Sequence, residues 1–244
     1  MNLGATLDLC QKIKSARKQA QFDYYGVIID QSLLGTREYA VYPVSVPEFE
    51  STRHWSVITL REILEQKGDF PHLPYRDRLQ LAVVISSSVL QLHGSPWLPN
   101  VFSSCEICFV KKRGRLVYDQ PFIMKNLPGN EPGRRRDEII VPFQCNPALL
   151  SLGILLIELV LGKTLASLRT PQEASLAGES PLVDYITAQR VAGQIRMTSL
   201  NYGTAVTRCI SGDLHRDGGF DAEDFCQDVY SGVVALLEKD LECS

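Results

Sequence analysis

Residues 147–161 read PALLSLGILLIELVL, and a helix drawn through them has no polar face. A surface helix keeps one side wettable, whereas a helix that is apolar all round must be enclosed on every side. Lipid is excluded as the enclosure. The apolar stretch 148–162 is shorter than the ~20 residues that cross a bilayer, and it carries Glu158 inside it. The segment therefore predicts the central core helix of a globular fold, with other elements packed around it. Helices at 75–92 and 222–241 are the expected neighbours, because each carries its own apolar stripe. The first has Leu79, Ala82, Ile85, Val89 and Leu92; the second has Phe225, Val229, Val233, Leu236 and Leu237.

The chain can supply such a core. It has 244 residues, of which 45% are hydrophobic and 22% charged, which excludes a largely disordered polymer. Lys and Arg number 25 against 28 Asp and Glu, for a net charge of −3. A balance this close gives no bulk attraction to nucleic acid or anionic lipid, so neither is expected as a partner. The first residues show no basic stretch followed by an apolar run, so no signal peptide is read. The seven cysteines are odd in number and scattered, unlike a secreted disulfide framework. Reduced thiols and a cytoplasmic or nuclear location are the expectation.

Along the chain, 5–20 has helical spacing through Leu9, Ile13, Ala16 and Ala20. Strands are expected at 24–29 and 38–44, joined as a hairpin with Gly35 in the connection. Thr59 and Glu62 form a capping-box pattern ahead of Leu60, Ile63 and Leu64, with Gly68 closing that short helix. A second hairpin is expected from 107–110 and 115–118, with Lys111, Lys112, Arg113 and Gly114 as a solvated turn. The stretch 120–146 is rich in proline and reads as a long loop, and 165–180 reads as a polar loop. Helices follow at 181–196, 201–211 and 222–241, the last capped by Asp221 with Asp224 at its third position.

Cys105 and Cys108 have the C-x-x-C spacing. A redox pair wants its first thiol at a helix N-terminus, whereas this one enters a strand-like run. A structural zinc would need two more ligands, and no second C-x-x-C or H-x₃₋₅-H exists. The pair reads as structural, with no metal expected. Arg134, Arg135 and Arg136 are the right chemistry for a phosphate or an acidic partner, but Asp137 and Glu138 offset them, so a solvated charge run is expected. His93 is placed to interact with the carbonyls that end the 75–92 helix.

Two segments carry a resemblance. Arg78-Leu79-Gln80-Leu81-Ala82 through Gln91-Leu92-His93 resembles the long helix ahead of the protein-kinase catalytic loop. Ser151-Leu152-Gly153-Ile154-Leu155-Leu156-Ile157-Glu158-Leu159 through Gly162-Lys163 resembles the kinase central helix, whose pattern is S-[FL]-G-[IV]-L-L-x-E-L-x-x-G. Arg61-Glu62-Ile63-Leu64 is similar to the short helix after the hinge. The likeness covers about residues 38–241, and it extends to a fungal family of degenerate kinase-like domains associated with heterokaryon-incompatibility-type proteins.

What this implies is an α+β fold, mainly α: a vestigial small lobe at 1–50, made of one helix and a β-hairpin, and a kinase-like helical large lobe at 51–244. Phosphoryl transfer in that family needs a Gly-rich loop, a strand Lys paired with a helix Glu, a catalytic Asp, an Asn and a magnesium-binding Asp. No G-x-G-x-x-G and no V-A-I-K-like strand occur here. Pro99-Asn100-Val101 falls where the H-R-D triplet would lie, so Val101 takes the place of the base and Glu106 that of the Asn. Asp119-Gln120-Pro121 stands at the D-F-G position, with Asp119 expected in a turn after the strand, and Ala148 replaces the Asp that opens the central-helix motif. Trp97 and Leu98 are expected to fill the place of the catalytic loop.

The expectation is therefore a catalytically inactive kinase-like interaction or regulatory module of fungal signalling. It would have no catalytic residues, no cofactor or metal, and an unspecified protein partner. Two alternatives stand beside it. One is a divergent nucleotide-dependent phosphotransferase that holds a divalent ion with Glu106 and Asp119. The other is a remnant of an incompatibility-type signalling protein acting only through partners.

Overall fold

The computed structural model describes residues 26–32, 35–41, 55–66, 73–93, 95, 98–112, 115–124, 146–176, 181–211 and 222–244. The chain divides into two compact units, Met1–Arg53 and His54–Ser244. The expected helix at 5–20, the 125–145 part of the proline-rich stretch with its three arginines, Gly68, Trp97 and Asp221 lie outside the described residues.

In the first unit, β1 (Gly26–Ser32) and β2 (Gly35–Val41) pair antiparallel, from Gly26 opposite Val41 to Ser32 opposite Gly35. The hairpin is present. Gly35 opens the second strand rather than sitting in the connection, so the pairing reaches further toward the turn than its alternation indicated.

The second unit is mainly helical, with one small antiparallel sheet of order β3-β4-β5. β3 (Trp55–Thr59) runs into α1 (Leu60–Leu64). The Thr59–Glu62 capping box forms as expected: the Glu62 amide donates to Thr59 Oγ1 at 3.2 Å, and the Thr59 amide donates to Glu62 Oε2 at 2.8 Å. Leu60, Ile63 and Leu64 are buried. α2 (Tyr75–Leu92) follows, then β4 (Ile107–Lys112) and β5 (Arg115–Ile123). β4 includes Lys111 and Lys112, which pair with Ser56 and Trp55 on one side and with Leu116 and Arg115 on the other, so these lysines belong to the strand and not to the turn. β5 continues through Asp119, and the ladder slips beside it. Phe109 alone lies opposite the residues between Val117 and Phe122. Asp119 therefore sits in a bulged strand, not in a turn after one.

α3 (Pro147–Leu161) is the expected core helix. Asn146 Oδ1 accepts the Ala148 and Leu149 amides at 2.9 and 3.3 Å, and Pro147 fills the first helical position, where an amide would lack a partner. Gly162, at φ 65°, ends the helix. The Gly162 amide donates to Leu159 O and the Lys163 amide to Glu158 O, the Schellman arrangement that satisfies the last carbonyls. Leu152, Leu156, Ile157 and Leu159 have no solvent exposure, and each fully buried side chain of this size stabilises by about 1.5–3 kcal/mol.

The segment read as a polar loop after α3 contains a 3-10 turn (Leu165–Leu168) and α4 (Pro171–Ser175). α4 has its own capping box, Thr170 with Glu173, and Arg190 binds Glu173 through Nε and Nη2, both at 2.8 Å. The local capping box and the longer-range Arg190 bonds together make helix out of a stretch with little apolar content. α5 (Pro181–Thr198) and α6 (Leu200–Ser211) form a tight pair. The C-terminal helix is α7 (Ala222–Val229) and α8 (Ala235–Glu242), with a π-helical turn, Tyr230–Val234, between them.

α3 packs chiefly against α6, α2 and α5. The C-terminal helix covers α2 and α6 rather than flanking α3, because α6 takes the face expected for it. Polar bonds pin the layers. Tyr202 on α6 donates its hydroxyl to Leu156 O at 2.8 Å, and Arg78 on α2 donates Nη1 to Val160 O at 2.9 Å. Asp240 on α8 caps α6. It accepts the Ser199 hydroxyl, Asn201 Nδ2 at 2.9 Å and the Tyr202 amide at 3.2 Å. Among the described residues no helix is long and apolar enough to cross a membrane.

Candidate functional site

The turn at 101–106, where the resemblance places a catalytic loop, is tied to α3 by the two polar residues of that helix. Ser151 Oγ accepts the Phe102 amide at 3.2 Å, and the Ser104 side chain hydrogen-bonds to the Glu158 carboxylate. The Arg61 amide at the start of α1 donates to Ser104 O at 3.0 Å. Ser151 and Glu158 are both buried, so they serve as clamps between the helix and the turn.

Between these pieces lies a cleft of about 280 Å³. The start of α1, the 101–104 turn, the length of α3 from Pro147 to Glu158, the 3-10 turn and the start of α5 enclose it. Its walls are apolar where Leu150, Ile154 and Leu155 face it, and its charged groups come from Arg61, Glu158, Arg169 and Asp184.

Glu158 Oε1 also accepts the Leu165 amide at 2.8 Å. Burial pushes the Glu158 carboxyl above the usual carboxylate range, and the bonds from Leu165 and Ser104 pull it partly back. Arg61 donates Nε to Glu65 at 2.7 Å and Nη1 to Cys105 Sγ at 3.4 Å. Those contacts, the sulfur first, raise its pKa further above the ordinary arginine value, so it is a permanent cation. Arg169 donates Nη2 to Asp184 Oδ1 at 2.6 Å, while its Nε is buried with no partner among the described residues.

Of the residues singled out in the sequence, Val101 is half-buried and lines the cleft. Glu106 turns back on its own loop, where its Oε2 accepts the Ser103 amide at 2.9 Å and the Ser103 hydroxyl at 2.7 Å. Ala148 sits in the first turn of α3, its amide on the Asn146 cap. Leu98 packs against the core. His93 stacks edge-on against Phe225, with ring centroids 3.9 Å apart. Cys105 is exposed and Cys108 buried, and both are free thiols. Burial raises the Cys108 pKa, and its thiol donates to Glu106 O. Among the described residues no group of three or more His, Cys, Asp or Glu could hold a metal ion.

Sequence reasoning missed the cleft because its charged residues come from segments far apart, at 61, 158, 169 and 184, with no spacing to connect them. One signal was present: Glu158, a lone carboxylate in an otherwise apolar helix, must have partners once buried.

No curated protein and no solved structure matches the chain. One family model does, over residues 1–244, and its description is "Domain of unknown function (DUF7580)". The chain belongs to the DUF7580 family.

Proposed function

We propose that this chain is a catalytically inactive kinase-like module, with a helical large lobe and a vestigial small lobe, that acts by binding a protein partner in fungal signalling. The observation that carries the reading is the state of the 101–106 turn. Glu106, at the place of a metal-binding Asn, spends its carboxylate on Ser103, and Val101, at the place of the base, has no group that takes a proton. Phosphoryl transfer depends on charge neutralisation around the phosphates, and this turn offers none. The same turn is clamped to α3 and walls a pre-formed cleft, which suits recognition more than turnover.

A thermal-shift measurement with ATP or ADP, with and without Mg²⁺ or Mn²⁺, tests the proposal. A ligand at a thousand times its Kd stabilises the folded state by about 4 kcal/mol, so micromolar binding at millimolar nucleotide is easily seen. The expected result is no shift and no phosphate release above a no-protein control. A Mg²⁺-dependent shift that disappears in Asp119→Ala overturns it in favour of a phosphotransferase.

A further inference from the structure

We propose that the cleft between Arg61 and Arg169 receives an oxyanion from the partner, the carboxylate or phosphoryl group of an acidic side chain. This inference rests on the interaction-module reading and specifies the chemistry of the contact.

Arg169 is the first argument. The Nε–H and one Nη–H of a guanidinium share an edge shaped for two oxygens of one anion. Asp184 takes Nη2 with a single oxygen and leaves Nε buried without an acceptor. A buried donor in that state carries an unrecovered desolvation cost, which an incoming oxygen recovers.

Arg61 is the second argument. It lines the same cleft from α1 with its side chain 48% exposed, so a permanent cation stands at the cleft alongside its contacts with Glu65 and Cys105. Ser151, whose oxygen accepts the Phe102 amide, keeps its own O–H to donate.

The acidic groups of the cleft are already committed. Asp184 is bonded to Arg169. Glu158 accepts from Leu165 and Ser104, and burial favours its neutral form. The apolar walls lower the local dielectric and strengthen an ion contact made inside. Volume sets the size of the guest. At about 280 Å³ the cleft falls just below the ~300–1,000 Å³ of sites for drug-sized ligands, so one side chain fits it better than a nucleotide.

The test is a titration of ¹⁵N-labelled protein in metal-free buffer with pentapeptides Ala-Ala-X-Ala-Ala, acetylated and amidated at their ends, where X is Glu, phosphoserine or Ala. The readout is the Nε–Hε signals of the arginines. The expected result is a saturable shift of Arg169 with X as Glu or phosphoserine and none with Ala. The tighter of the two acidic peptides identifies the source of the oxyanion. Arg169→Gln should abolish binding. Because that variant also loses the Asp184 pair, Arg61→Gln serves as the second variant, with an expected rise in Kd of about tenfold. Equal response to all three peptides, or no movement of Arg169 with any, overturns the proposal. Neither nucleotide nor metal enters this experiment, so failure here leaves the nucleotide test to judge the inactive-module reading by itself.

Discussion

Gly203 and Gly193 offer a matched pair of substitutions that isolates the α5–α6 contact. A Cβ on Gly203 would lie 2.3 Å from Arg196 Cα and 2.5 Å from Arg196 N, whereas a Cβ on Gly193 would meet nothing within 4 Å. Alanine gains about 0.5–1 kcal/mol over glycine inside a helix. At 193 that gain is the whole effect, and a domain of this size should melt about 1–4 °C higher. At 203 the same gain is opposed by a clash with backbone, which cannot rotate away as a side-chain tip would. Ordinary carbon contacts lie at about 3.5–4.0 Å, so α5 and α6 must part by more than an ångström. Overpacking of this kind costs about 1–3 kcal/mol, and a backbone obstacle puts it at the upper end. The net loss is then about 2 kcal/mol, or a fall of roughly 4–8 °C. Circular-dichroism melts of both variants beside the parent protein measure the gap directly, because helix propensity cancels between them. Gly203→Ala melting at or above the parent would refute the close approach of the two helices.

Leu155→Asp places a charge without a partner in the centre of α3, where Leu155 is 1% exposed, and should abolish folding. A soluble protein with a cooperative melt would remove α3 from the core. The Glu173 carboxyl is held at about 2, against an ordinary 4.5, by Arg190 first and the Thr170 amide second. Its folded pKa is depressed, so its contribution is complete above pH 4.5 and fades as pH falls toward 2. Glu173→Gln should therefore lose stability relative to the parent at neutral pH and converge with it in acid, as followed by urea midpoints across that range. Among Cys105, Cys108 and Cys209, only the exposed Cys105 should react quickly with a thiol reagent in the native state. Burial pushes the Cys209 thiol up to about 12, and peptide mapping showing it labelled before unfolding would contradict that packing.

Strong periodicity and clear end signals made α2 and α3 legible in the sequence to the residue, and the Thr59–Glu62 pair marked α1. β3 was not legible. Trp55–Thr59 is short, and it is a strand because β4 pairs with it across a separation no local pattern encodes. The Thr170–Glu173 capping box had the same form as the one at Thr59, but Leu165 and α4 are covered through long-range bonds, Arg190 to Glu173 among them, and composition alone read as loop. The apolar spacing of 222–241 ran through without a break, since a single π turn displaces the phase only slightly and leaves Val229, Val233 and Leu237 inside. One of the two expected neighbours of α3, the C-terminal helix, was misread for a related reason. An all-round apolar helix tells that it is enclosed and not by what, and α6 claimed the place expected for the C-terminal helix. For the site, Glu158 was visible as an anomaly, while Arg61 and Arg169 became meaningful only when the fold brought them to one cleft.

The Asp240 cap couples the lifetimes of two helices. A terminal helix ordinarily exchanges its amide hydrogens early, by fraying alone. Here detachment of α8 withdraws the carboxylate from Ser199, Asn201 and Tyr202, and the Tyr202 amide loses an acceptor at the same moment. Tyr202 is also the residue that reaches Leu156 O in the core, so the disturbance passes straight into the packing of α3. Slow hydrogen exchange should accordingly be shared between the first turn of α6 and the buried Leu237 turn of α8, with one opening free energy for both. On that expectation the end of α8 would open together with the centre of the protein.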